Sequence, residues 1–286
     1  MKLAYRIVNV FGRPGEPFTG NPLCVFEDGS GLSDAGMQAL ALQFNLSETT
    51  FILPSEKASA RVRIFTPSME LPFAGHPTLG TAQVVRALRE AGNGDSVDSV
   101  TLEMQAGVIP VSAQGNRWTL QANAPKTRPF DASCSTALAV ALGLDAAAFA
   151  APPLWVDTGM EQLLVPLASA DAVRRAMPGA TLAGFANASG KVSVYCFSPL
   201  VEESLLVRFF FAKNAGSVAE DPATGSACAN LGGYAIATGQ ALPLGRTLLQ
   251  GEAVGRPSVL GLEVDAARAI RVSGEVIELG GGTIAL

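Results

Sequence analysis

Arg61-Val62-Arg63-Ile64-Phe65 and Leu206-Val207-Arg208-Phe209-Phe210 carry valine, arginine and phenylalanine at the same three places, and the likeness extends outward from them. Slid by 145 positions, residues 50–82 align with 195–227 without a gap, and nine of the 33 positions are identical. The nine are Pro54/Pro199, Ser59/Ser204, Val62/Val207, Arg63/Arg208, Phe65/Phe210, Ala74/Ala219, Pro77/Pro222, Gly80/Gly225 and Ala82/Ala227, with Thr81/Ser226 a conservative tenth. About two identities would be expected by chance at roughly one in 15, so a duplicated unit is the natural explanation.

Each copy has an alternating strand (60–66 and 204–211), a loop of about ten residues, and a proline that opens a helix. Proline at a helix start gives up only an N–H that had no partner. In this alignment Gly80 and Gly225 come one turn in, where the missing Cβ would let a ligand approach the backbone. His76 and Asp221 stand at matched positions just before the prolines. Helix N-termini present free N–H groups and partial positive charge, so two of them related by the repeat suit a carboxylate.

Further out, alternation and turn signals predict strands at 3–10, 49–53, 100–104, 108–112, 117–122, 154–157, 163–167, 192–197 and 259–264. Ser33 is expected to cap a helix running to Asn45. Residues 271–286 read as closing strands, with Gly280-Gly281-Gly282 as a tight turn. At 286 residues the chain suits two domains of similar size. The expected division is 1–125 with 272–286 against 126–271, with Ala124-Pro125-Lys126 as the linker.

Hydrophobic residues make up 48% and charged residues 16%, which excludes a disordered chain. The net charge is −5 with Lys and Arg scattered, so a nucleic-acid partner is not expected. The N-terminus alternates like a strand and lacks a secretory apolar region. The richest apolar run, 136–151, falls short of a membrane span of about 20 residues. Four cysteines without a C-x-x-C pair point to a reducing cytoplasm.

His76 is the only histidine and no cysteine stands beside it at ligand spacing, so a metal site is not expected. A general acid/base or orienting role is left for it, alongside that of a hydrogen-bonded capping histidine. Glu48 lies where a helix ends and a strand begins, between apolar neighbours. Partly desolvated there, it could shuttle protons; a surface cap or ion pair is the alternative.

Five ordered blocks, Gly20-Asn21-Pro22, Ser47-Glu48-Thr49, residues 73–82, residues 220–227 and Gln250-Gly251-Glu252 with Gly255-Arg256-Pro257-Ser258, resemble the PhzF (phenazine-biosynthesis-like) family over almost the whole chain. The resemblance implies an α+β (α/β) diaminopimelate-epimerase-like fold, with two pseudo-symmetric domains that each wrap strands around a central helix. It implies an isomerase without a cofactor, and a homodimer. By the same resemblance Glu48 is the general acid/base, and His76 and Asp221 hold and polarise a small carboxylated substrate. Ser226, with N–H groups near Gly75 and Gly225, receives its carboxylate, and Asn21 lines the cleft. Asn9 departs from the family, where aspartate is common.

Epimerases of this fold use one cysteine per half. Ala74 takes what looks like the first cysteine's place, and in the second half Ala223 precedes Thr224-Gly225, with Cys228 further on. Two rivals remain open at this point: an epimerase with Glu48 and His76 as opposing bases, and a non-catalytic binding protein.

Overall fold

The computed structural model describes residues 1–93, 97–214 and 217–286. The chain divides into two compact units, Met1–Gln121 with Ser273–Leu286, and Ala122–Val272.

The first unit holds strands β1 (Lys2–Gly12), β2 (Asn21–Phe26), β3 (Glu48–Leu53), β4 (Ala60–Phe65), β5 (Glu70–Leu71), β6 (Ser99–Met104), β7 (Gly107–Gln114) and β8 (Arg117–Gln121), with helices α1 (Asp34–Phe44) and α2 (Gly75–Asn93). The C-terminal strand of the chain, Ile270–Ala285, pairs with both β1 and β8. The order β1-β2-β3-β4-β6-β7-β8-C-terminal strand-β1 therefore closes into an eight-stranded barrel. Closure leaves no open edge, and α2 fills the interior with Leu79, Ala82, Val84 and Val85, all buried. Ser33 caps α1 by accepting from the Gly36 N–H, and Asn45 ends it in the left-handed region, as the sequence suggests. Outside the barrel, α1 covers a second cluster in which Phe26 stacks on Phe51 at 4.9 Å.

The second unit holds β9 (Lys126–Pro129), β10 (Leu154–Asp157), β11 (Glu161–Pro166), β12 (Ser193–Pro199), β13 (Ser204–Asn214), β14 (Ser217–Asp221), β15 (Leu244–Gln250) and β16 (Ser258–Val264). Its helices are α3 (Ser135–Ala141), α4 (Ala170–Arg175) and α5 (Gly225–Ala237). The ladder β10-β11-β12-β13-β15-β16 repeats the senses of β1-β2-β3-β4-β6-β7: antiparallel, parallel, antiparallel, parallel, antiparallel. Residues 136–151 become α3 and the turns after it, which pack on the outside of the sheet with α4. Among the described residues no helix is long and apolar enough to cross a membrane.

The two units thus share one plan, but the gap-free alignment breaks inside it. What reads as a loop of ten residues is in each copy the return arm of a hairpin, β5 on β4 and β14 on β13. Phe65 pairs with Glu70 and Phe210 with Glu220, so four residues lie between the first pair and nine between the second. The five-residue difference moves the matches from the hairpin to the helix start from 145 to 150. Glu70/Glu220, Pro72/Pro222 and Gly75/Gly225 become the equivalent residues, and both helices start on the last of these.

His76 therefore corresponds to Ser226, and Asp221 to Leu71, which corrects the expectation that His76 and Asp221 are mates. The side chains agree with the shift. Arg63 grips Glu70 through two bonds of 2.7 and 2.8 Å and lies over the Phe65 ring, while Arg208 grips Glu220 at 3.1 and 2.7 Å over Phe210.

Three glycine assignments also change. Gly80 does not open the backbone to a ligand: a Cβ there would lie 2.7 Å from Leu23 and 2.9 Å from Val10, so it lets α2 seat against the barrel wall. Gly225 is the first residue of α5 and not one turn in, and Pro222 lies outside the helix. Gly280-Gly281-Gly282 is not a turn but part of the C-terminal strand, passing so close to Tyr5 that a Cβ on Gly281 would lie 2.2 Å from the Tyr5 carbonyl.

Candidate active site

In the first unit three elements begin close together. The parallel pairing of β2 with β3 sets Leu23 opposite Glu48, so that Asn21 and Glu48 both lie at strand starts. Asn21 is the first residue of β2 and fully buried. The tight approach before it needs glycine, since Gly20 sits at φ +82° with the Val10 carbonyl 2.5 Å from where a Cβ would be. Gly75 and His76 open α2. His76 Nε2 lies 3.2 Å from Glu48 Oε2, with the two side chains only 8% and 16% exposed.

Burial pushes the His76 imidazole down to about 3, against a weaker upward pull from its hydrogen bond to the Pro22 backbone. The ring is neutral at pH 7. Having given its N–H to the Pro22 carbonyl, a neutral ring leaves Nε2 unprotonated 3.2 Å from Glu48 Oε2, close but not aligned as a hydrogen bond, so that it could accept one from the carboxylic acid form after a small rotation. Glu48 has no carboxylate counterpart, because the strand register equates it with Ser193 of β12. The fully buried Asn9 donates from Nδ2 to the Pro17 carbonyl at 2.7 Å and so braces the loop that leads to Asn21. An aspartate there would have no such donor.

In the second unit Ser226 is the second residue of α5, and a buried amide chain sets its polarity. The Thr158 N–H and hydroxyl donate to Asn230 Oδ1 at 2.8 and 2.7 Å. Asn230 Nδ2 donates to Gln162 Oε1 at 2.8 Å, and Gln162 Nε2 to Ser226 Oγ at 2.9 Å. An amide nitrogen can only donate, so the Ser226 hydroxyl accepts from Gln162 and has its own proton left to give to another acceptor. Asp221 ends β14, where the Thr224 hydroxyl donates to its Oδ2 at 2.5 Å. Gln162, Asn230, Thr224 and Gln250 are site-supporting residues that the sequence reading passed over. Thr224 and Gln250 lay within family-like blocks, whereas Gln162 and Asn230 did not.

The family model for phenazine biosynthesis-like proteins (PhzC-PhzF) matches residues 8–282. The chain belongs to this family. An uncharacterized isomerase of Pasteurella multocida is 38% identical over 98% of this chain and 93% of its own length. The trans-2,3-dihydro-3-hydroxyanthranilate isomerase of Pseudomonas aeruginosa is 33% identical over 94% of this chain and 95% of its own. The crystal structure of a PhzF-family protein of Bacillus anthracis superposes with a TM-score of 0.84 at 25% identity, covering 100% of both chains. A probable proline racemase of Agrobacterium radiobacter, at 13% identity, has a TM-score of 0.66 over 99% of this chain and 93% of its own, a likeness of fold alone. The fold is diaminopimelate-epimerase-like, and the protein is an isomerase.

The two-thiol chemistry of epimerases finds no support in this PhzC-PhzF chain. Ala74 and Thr224 precede the helix-opening glycines, and neither is a cysteine. Cys24, Cys196 and Cys228 are buried, and burial raises their thiols, Cys196 to about 12 against a smaller downward pull from Arg208 and with a further push from Glu220, so these three stay protonated at neutral pH.

Proposed function

We propose that this protein is a cofactor-independent isomerase that moves a proton between carbons of a small carboxylate, with Glu48 as the single group that removes and returns it. The observation that carries the proposal is the shielded contact between Glu48 and a neutral His76. A carboxyl group that must alternate between base and acid needs a neighbour that tolerates both forms, and a neutral imidazole accepts a hydrogen bond from the acid without adding charge.

In this proposal the substrate carboxylate lies at the start of α5. There the Ser226 hydroxyl, turned outward by Gln162, and the N–H groups that follow Gly225 offer donors and the positive end of a helix. Gly75 opens the matching start of α2 and Asn21 begins β2 in the first unit, while Asp221 ends β14 in the second, and all three are further binding candidates. His76 and Asp221 orient the substrate and spread the enolate-like charge that forms while the proton is off carbon. By analogy with the P. aeruginosa relative, a dihydro-hydroxyanthranilate-type diene is the first substrate to try.

The geometry argues against Glu48 and His76 as opposing bases of an epimerase. Two bases must stand on opposite faces of one carbon, and atoms 3.2 Å apart leave no room for a tetrahedral centre between them.

Glu48→Gln is the test. The expected result is turnover lowered by about 100-fold or more, with substrate affinity within a few fold of wild type. Turnover that survives the substitution would remove Glu48 from the chemistry.

A further inference from the structure

Gln250 is the last residue of β15 and is 2% exposed. Its amide makes four hydrogen bonds. Nε2 donates to the Asp221 carbonyl at 2.8 Å and to Thr224 Oγ1 at 3.0 Å. Oε1 accepts from the Thr224 N–H at 3.3 Å and from the Tyr195 hydroxyl at 3.4 Å. Only one orientation of the amide is possible, because the Asp221 carbonyl can only accept and the Thr224 N–H can only donate.

That orientation decides the next bond. Thr224 Oγ1 receives a proton from Gln250, so the hydroxyl turns its own proton to its other neighbour, Asp221 Oδ2, 2.5 Å away. The residue after Gln250 tightens the same turn. Gly251 sits at φ +80°, and a Cβ on it would lie 2.5 Å from the Pro222 carbonyl and 2.2 Å from that of Arg256.

We propose that Gln250 is the positioning residue of the second half: it locks the Thr224 hydroxyl as a donor to Asp221 and pins the turn from Asp221 to Thr224 in front of α5. The consequence for turnover rests on the function proposed above, while the locking of the hydroxyl does not. Among the described residues of the first unit there is no equivalent clasp, since Leu71 and Ala74 stand in the places of Asp221 and Thr224.

The test is the carboxyl titration of Asp221, followed by carbon NMR in protein labelled at aspartate side chains, which needs no substrate. Burial pushes Tyr195 and Cys228 well up out of an acid scan, and Glu220 is tied to Arg208. In Thr224→Val the midpoint is expected to rise by about one pH unit, the size of one hydrogen bond to a charged group.

Gln250→Leu should raise the midpoint in the same direction, and the double variant should equal Thr224→Val alone, because Gln250 acts through the hydroxyl. Thr224→Ser should restore the wild-type midpoint. Shifts that add in the double variant, or a Gln250→Leu midpoint equal to wild type, would overturn the proposal. If Gln250→Leu does not fold, an unchanged midpoint in Thr224→Val overturns it equally. Should Asp221 behave as expected while no substrate turns over, the assigned function fails and the clasp stands.

Discussion

His76 and Ser226 are the same residue of two copies of one helix start: each follows the opening glycine, Gly75 in α2 and Gly225 in α5. The duplication has therefore diverged at its most useful position, one copy placing a neutral imidazole beside Glu48 and the other a hydroxyl beside Gln162.

His76 is the only histidine in the chain, so its imidazole signals need no assignment. Burial holds it near 3 when folded, well below about 6.5 for an exposed ring. Between these values the unfolded chain binds a proton that the folded one does not. Stability from this group is complete above pH 6.5 and is lost as pH falls toward 3, at up to about 1.4 kcal/mol per pH unit. An imidazole midpoint below 4.5 is the expected NMR result, and a midpoint at or above 6.5 would contradict a neutral ring.

Gln162 is fully buried between Asn230 and Ser226. Gln162→Leu strands an Asn230 donor and should cost about 1–3 kcal/mol in urea unfolding. It should also free the Ser226 hydroxyl to rotate, so that a bound carboxylate is weakened more than its uncharged amide analogue. Equal weakening of the two, measured by calorimetry, would show that the amide chain does not set the direction of the hydroxyl.

Gly251 and Gly255 flank the same short turn in the left-handed region, at φ +80° and +67°. A Cβ on Gly255 meets open space, whereas on Gly251 it meets two carbonyl oxygens. Gly255→Ala should cost about 1–2 kcal/mol from backbone conformation alone. Gly251→Ala adds about 1–3 kcal/mol of overpacking. Equal unfolding midpoints for the two variants would show that the contact with Pro222 and Arg256 is unimportant.

Thr49 follows Glu48 on β3, and its cross-strand neighbours Cys24 and Phe65 both belong to the apolar cluster under α1. Its hydroxyl is buried and has no hydrogen-bond partner among the described residues. Thr49→Val keeps the shape and removes the unsatisfied oxygen, so stability should rise by about 1 kcal/mol. A fall in the urea midpoint would mean that the hydroxyl has a partner in solution.

Much of the barrel was legible because strands and helix starts are local signals. Alternation revealed β3, β6, β7, β8, β10, β11, β12 and β16, and Ser33 and Asn45 bracketed α1. The misses have a common cause, in that spatial neighbours decide what a local pattern cannot. β2 begins with Asn21-Pro22, which reads as a turn until β1 and β3 pair on either side. β15 carries Gly245 and Arg246 inside a strand held by β13 and β16.

The repeat itself was visible, but sliding the chain without gaps forces one offset on two hairpins of different length. Chance prolines and glycines then made His76 match Asp221. For the site, Glu48 and His76 could be named from the sequence, and the buried amides could not. Gln162, Asn230 and Gln250 look like ordinary polar residues until the fold removes water from around them.

The central claim is that Glu48 carries a proton to and from carbon, and deuterium incorporation tests it most directly. Wild type and Glu48→Gln would be incubated in D₂O with a dihydro-hydroxyanthranilate-type diene and with small amino-acid carboxylates, and carbon-bound deuterium followed by NMR. Deuterium appearing at carbon with wild type and absent with Glu48→Gln is the predicted result. Equal incorporation by both, or none by wild type with a carboxylate that calorimetry shows to bind, would contradict it.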